Sequence, residues 1–168
     1  LKIGASNNAG WDFAGIKLRV DSVGIPRMSL MGPGQAEAVS IVSSSVGIGT
    51  NAPKAKLQVE ELGIDTTTTS TTAVTQVAID SMVAATFRSA RYTIQVTNST
   101  DSTYHLTEML LIHDGATPSI NEFGTIFTGS AAEAAFTADI NSGNVRILAT
   151  PASTDAMAFK VVRHSITV

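Results

Sequence analysis

The stretch Arg91–Gly115, RYTIQVTNSTDSTYHLTEMLLIHDG, spells out a strand, a turn and a second strand. Tyr92, Ile94 and Val96 alternate with Arg91, Thr93, Gln95 and Thr97, the period-two pattern of a strand with one buried face. The run NSTDS at 98–102 supplies the turn residues. On the next strand Leu106, Leu110 and Ile112 share one face, and Met109 and Leu111 share the other. A strand that is apolar on both faces is expected to be buried on both.

Working outward, the same grammar continues to the end of the chain. Strands are expected at Ile120 to Phe127, Ala135 to Ile140, Val145 to Ala149 and Met157 to Val168. Between them lie HDGATPS (113–119), TGSAAE (128–133), NSGN (141–144) and TPASTD (150–155), rich in residues that fix φ or tolerate positive φ. DINSGNVRI reads as a tight hairpin. A helical pattern around Ser130 to Ala135 is too short to count. Strands every ~8–12 residues with turns between them predict an antiparallel, sandwich-like domain over 74–168.

Upstream, the Thr/Ser run in LGIDTTTTSTTA has no apolar period and reads as an extended linker over 62–73, stiffened by β-branched Thr. Residues 1–61 carry short strands at Gly15–Val20, Arg27–Met31, Ala38–Val42 and Lys56–Val59, punctuated by Gly and Pro. This segment is too poor in apolar residues to fold alone, so it needs partners, and copies of itself are the simplest. The predicted fold class is all-β: a Gly-rich intertwined shaft followed by the sandwich-like domain, assembled as a homotrimer.

Composition narrows the function. Charged residues make up only 15% of the 168, and the net charge of -3 comes without a basic run, which argues against a nucleic-acid partner. There is no cysteine, hence no disulfide or thiolate metal site. No apolar run approaches the ~20 residues of a membrane helix. No signal peptide is visible, and a start at Leu1 is read as a piece of a longer protein.

The stretch SVGIGTNAPKAKLQV, Ser45–Val59, resembles a motif repeated in bacteriophage tail fibres and related virion appendages: a Val-Gly-Ile-Gly-Thr turn, a Pro, then a Leu-x-Val strand. The segments 87–115, 122–129 and 142–153 resemble C-terminal β-domains of structural proteins from marine, cyanophage-like viruses. The self-cleaving chaperone domain that often follows the first motif is not evident. The resemblance implies a non-enzymatic virion protein, a fibre-type appendage of a tailed phage used for attachment or host recognition. A capsid- or neck-attached head fibre or decoration protein, a polysaccharide-degrading tailspike and a bacterial adhesin module are the alternatives. Implied partners are its own copies, other virion proteins and a host-surface glycan or protein.

Within the motif, Gly47 and Gly49 would let neighbouring backbones approach or turn, and Ile48 would point at a shared axis. Pro53 would end pairing, and Leu57 and Val59 would restart a strand. Binding residues sit on loops held by a rigid scaffold, which marks Asn98, Ser99, Asp101, Asp114, Thr117 and Ser130.

Candidate chemistry is sparse. The carboxylate pairs are Glu60 with Glu61 and Glu108 with Glu122, and a glycosidase needs such a pair facing one cleft. No G-x-S-x-G frames a serine, and GPGQAE (32–37) lacks the Lys-Ser/Thr of a phosphate loop. His105 and His113 stand ~26 Å apart along a straight strand, so they cannot share a metal. With His164 they read as surface or turn histidines. Arg88, Arg91, Arg146 and Arg163 are expected to pair with Glu108, Glu122 or Asp139, or to form an anionic-glycan patch. No cofactor, metal or catalytic residue is implied.

Overall fold

The computed structural model describes residues 15–20, 26–31 and 37–168, and every regular element in them is a strand. The all-β class is as expected, and the sheets are open rather than closed into barrels. The chain divides into two compact units, Leu1–Gly63 and Ile64–Val168.

In the first unit, β1 (Gly15–Val20), β2 (Pro26–Met31), β3 (Glu37–Val42), β4 (Ser45–Ile48) and β5 (Leu57–Val59) lie side by side in that order. The first four pair antiparallel, and β4 pairs parallel with β5. A parallel pair needs a crossover, which residues 49–56 supply. The Val-Gly-Ile segment, expected to be a turn, is therefore strand β4, and the chain turns only after Ile48. Residues 32–36 of the GPGQAE stretch and all residues before Gly15 lie outside the described residues.

The second unit holds β6 (Leu62–Thr71), β7 (Val77–Val83), β8 (Phe87–Asn98), β9 (Thr103–His113), β10 (Pro118–Phe127), β11 (Ala134–Asn141), β12 (Asn144–Pro151) and β13 (Met157–Thr167). One sheet has the order β6-β13-β8-β9-β10, the other β11-β12-β7. Their inner faces meet. Phe136 of β11 lies 5.9 Å from the His105 ring on β9, and Tyr92 Oη on β8 reaches Met82 Sδ on β7 at 3.9 Å. Ile79, Ile94, Val96, Met109, Ile147, Phe159 and Val161 are sealed between the sheets.

Local chemistry explains most boundaries. Ser142 (φ 50°) and Gly143 (φ 78°) form the two-residue loop of the β11–β12 hairpin, with Asn141 facing Asn144. Two positive φ values in sequence match the right-handed strand twist. The helical pattern at 130–135 does not form: Ala134 already belongs to β11.

The Thr-rich segment corrects the linker expectation. Leu62–Thr71 is a ten-residue strand beside β13, with alternate residues half-buried. Thr67 Oγ1 donates to the Ile79 carbonyl at 2.8 Å. β-Branched Thr suits an extended, half-buried surface, and that preference prevails over the low-complexity appearance.

Candidate functional site

The motif of the first unit is built as strand, crossover, strand, and its two faces are opposite in character. On one face Ser29 aligns with Ser40, Ser40 with Gly47 and Gly47 with Gln58. All four are buried. The crossover closes this polar row: Ser40 Oγ donates to the Thr50 carbonyl at 2.8 Å, and Gln58 Oε1 accepts from the Lys54 amide at 2.7 Å. On the other face two apolar rows run across the strands. Leu30, Val39, Ile48 and Val59 align in one, and Met28, Ile41, Val46 and Leu57 in the next. None of these eight is buried; Leu30 is 43% exposed, Ile48 41% and Val59 37%.

The motif residues therefore divide. Ile48, Leu57 and Val59 belong to the open apolar face. Pro53 sits half-buried in the crossover. Gly47 belongs to the closed polar face, where an added Cβ would run into the Thr50 carbonyl oxygen and stand 2.8 Å from Ser40 Oγ. Gly49 has φ +73°, a conformation L side chains rarely adopt. Both positions are constrained by the fold of their own chain: 47 by the close backbone, 49 by its positive φ.

In the second unit the loop residues separate into two groups. Asn98 is buried and braces one end. Its Nδ2 donates to Glu133 Oε2 (3.2 Å) and Asp155 Oδ2 (3.0 Å), and its Oδ1 accepts from the amides of Thr100 and Asp101. Ser99 Oγ donates to the Ala156 carbonyl at 2.9 Å, and Thr103 Oγ1 donates to Glu133 Oε1 at 2.5 Å. These bonds gather loops 98–102, 128–133 and 152–156, with Ser99, Asp101 and Ser130 exposed. Hydrogen bonds from Ser153 and Asn98 lower the pKa of Asp155. Asp114 and Thr117 lie at the far end of β9, roughly 34 Å away for an extended strand of this length. There Asp114 Oδ1 accepts from the amides of Thr117 (2.7 Å) and Ala116 (2.8 Å), and those bonds lower its pKa. The six loop residues do not form one site. Glu133 and Asp155, the hubs of the first group, were not singled out in the sequence; their acceptors serve loops more than 30 residues away.

Two histidines correct the surface expectation. His105 and His113 share the inner parity of β9 with Met109 and Leu111, and both are buried. His113 Nδ1 accepts from the Gly115 amide at 3.0 Å, which assigns the proton to Nε2, 2.7 Å from the Phe87 carbonyl. His105 lies between Phe127 (6.3 Å) and Phe136 with neither ring nitrogen partnered. Burial lowers its pKa, against the opposing charges of Glu122 and Glu133. His164 is exposed, as expected.

The ion pairs are partly as expected. Arg91 holds Glu108 at 2.5 Å, and Arg146 holds Asp139 at 2.5 Å. Arg88 instead donates to the His113 carbonyl at 3.4 Å. Arg163 is buried, and its guanidinium bonds Asp80 Oδ2 (2.5 Å) and Asp65 Oδ2 (2.6 Å), residues nearly a hundred positions away at most. Glu108 and Glu122 do not converge. Glu108 faces outward to Arg91, whereas Glu122 Oε1 accepts from Thr107 Oγ1 at 2.9 Å on the inner face. Among the described residues no group of three His, Asp or Glu side chains is placed to hold a metal.

No protein-family model and no curated protein matches the sequence. Among solved structures the chain is similar to the tailspike protein of Acinetobacter phage vB_ApiP_P1, with 18% identity and a TM-score of 0.37 over 64% of this chain and 22% of that one. It is also similar to the tailspike protein of Acinetobacter baumannii phage AM24, with 8% identity and a TM-score of 0.40 over 70% of this chain and 33% of that one. The chain thus spans a third or less of either protein, and similarity at this level carries no argument about function.

Proposed function

We propose that this chain is a structural component of a virion: a fibre-type appendage of a tailed phage, working as a homotrimer without covalent chemistry. Its second unit contacts the host surface or neighbouring virion proteins. The observation that carries this reading is the contrast between the units. The second buries a core of its own between two sheets. The first closes only its polar face and leaves eight apolar side chains of β2 to β5 open. Over β2 to β5 that sheet face covers on the order of 300 Å². Patches of this size on a single copy are often functional, and closed homo-oligomers are the commonest assemblies that cover such a face. The resemblance of Ser45–Val59 to phage fibre repeats gives the assembly its setting. The separation of Glu108 from Glu122 by the thickness of the sheet favours a structural role over glycan cleavage.

Light scattering on the purified full chain should give three times the mass of one copy, and a stable monomer at micromolar concentration would overturn the reading. Electron microscopy of virions carrying an affinity label on this chain should place it on the tail. Label on the capsid or neck would instead assign it to a head fibre or decoration protein. Release of reducing ends from host polysaccharide would make it a depolymerase.

A further inference from the structure

We propose that the outward face of β9 and β10 is a second contact between copies of this chain, carried by different residues from the first unit's sheet. It rests on the multi-copy reading above for the identity of the partner.

β9 is apolar on both faces. Inward, Met109 and Leu111 are buried; outward, Leu106 is 37% exposed, Leu110 50% and Ile112 58%. β10 extends the outward strip at one end, where register sets Ile126, 64% exposed, beside Leu106 and Phe123 beside Glu108; toward the other end Asn121 lies beside Leu110 and Ser119 beside Ile112. The neighbouring strand β8 is different. Its outward residues Arg91, Thr93, Gln95 and Thr97 are polar and suit solvent. The boundary between water-facing surface and strip falls between β8 and β9. A strand with two apolar faces has two layers to bury against, and one copy supplies only one of them.

Three features select another copy as the second layer. The charge on the strip, Glu108, is held by Arg91, so identical strips do not repel each other. Four of its residues, Leu106, Leu110, Ile112 and Ile126, are exposed aliphatics, which suit protein packing better than sugar recognition. The two strands offer on the order of 300 Å², far below the roughly 800 Å² per side by which a free partner is held. A surface that small closes when its partner is already tethered, as copies in one fibre are at about millimolar effective concentration. A hollow of ≈ 430 Å³, lined by Tyr104, Leu106, Ile126 and Phe127 together with Gln95, His105 and Thr128, lies at one end of the strip and can take a neighbour's side chain.

The chain has no native cysteine, so single introduced thiols report one position each. The test uses full-length Leu110→Cys, with Ala135→Cys on exposed β11 as control. Assembly state is measured in parallel by light scattering. In the assembled protein, maleimide should label position 110 at least tenfold more slowly than position 135, and a short bismaleimide should link copies through 110 and not through 135. If the protein assembles but both positions label at equal rates and no link forms at 110, the strip contact is wrong and the fibre reading stands. If the protein is monomeric, both fail. If position 110 is protected in a monomer, the chain covers its own strip and the contact between copies is refuted.

Discussion

Replacing Arg163 with methionine should unfold the second unit far more readily than any loss of surface charge. Arg163 sits on the inner face of β13 with its side chain 6% exposed, and it joins Asp65 of β6 (14%) to Asp80 of β7 (1%). It also donates to the Ser81 carbonyl at 3.1 Å and lies 5.9 Å from the Phe87 ring. The substitution keeps most of the volume and takes the guanidinium from two carboxylates, one of them almost without water. Breaking a buried ionic group by removing one partner costs about 3–5 kcal/mol. For a unit near 100 residues that is on the order of 15–30 °C in Tm. The readout is hydrogen exchange of the β8 and β13 amides in the full chain, which reports the opening of this unit alone. The loss should depend on pH. Burial raises the Asp80 pKa above 3.8 in the wild type, with Arg163 opposing the rise. Without Arg163 the folded value rises further. Stability linked to the protonated carboxyl is present below 3.8 and is lost as pH climbs through the folded pKa, so the deficit is greatest at pH 7 and shrinks toward pH 4. Replacing the whole set, as Arg163→Met, Asp65→Leu and Asp80→Leu, should recover most of the loss. A single-variant deficit below about 1 kcal/mol, or one indifferent to pH, would refute the reasoning.

Three further outcomes are expected. His105 has a folded pKa below 6.5, so the stability due to its neutral form is present above 6.5 and is lost as pH falls through that value. His105→Phe should flatten the decline between pH 7 and 5 and gain about 1–3 kcal/mol at pH 7 by removing two unpartnered nitrogens, and parallel wild-type and variant profiles would count against it. Gly49→Asn should preserve the first unit where Gly49→Val does not, and Gly47→Ala should expose residues 37–63 to protease, because the obstruction at 47 is backbone. Wild-type resistance in Gly47→Ala would show that the crossover has room to move. Residues 64–168 should unfold at higher urea than residues 74–168, which lack β6 and the Asp65 partner of Arg163; equal midpoints would mean that β6 adds nothing to the unit.

The elements that could be read in the sequence are those whose information is local. Tyr92, Ile94 and Val96 announce β8, and Asn141 to Asn144 announce a hairpin, because alternation and turn chemistry are contained in a few residues. β7 was missed, and the reason is visible in its pairing. A register shift opposite Ile147 and Leu148 leaves both Ile79 and Asp80 buried, which breaks the alternation that reveals a strand. β4 was hidden by Gly47, whose lack of side chain suggests a turn but here serves a close approach in a strand. The Arg163 pairs were out of reach because Asp65 and Asp80 arrive from strands whose neighbours only the sheet order defines. His105 and His113 were legible in parity and misread in meaning, since histidine polarity suggested surface where strand parity dictated core.

What was legible on β9 is a second apolar face that one copy leaves open. Two adjacent antiparallel strands, β8 and β9, share a sheet and an inner layer, yet only β8 has the polar outward residues of a strand that ends at water. In the first unit the disparity is stronger, with Ser29, Ser40 and Gln58 enclosed and Leu30, Ile48 and Val59 open. Apolar burial is worth about 25 cal/mol per Å², whereas an enclosed serine or glutamine gains little beyond its hydrogen bonds. The first unit's sheet therefore encloses the face with the weaker term and leaves the stronger one open. If copies cover that face as proposed, stability is coupled to assembly: the second unit carries its own core, and the first gains its apolar burial only with a neighbour. Under that proposal the side chains that hold copies together are the same ones that complete the first unit's fold.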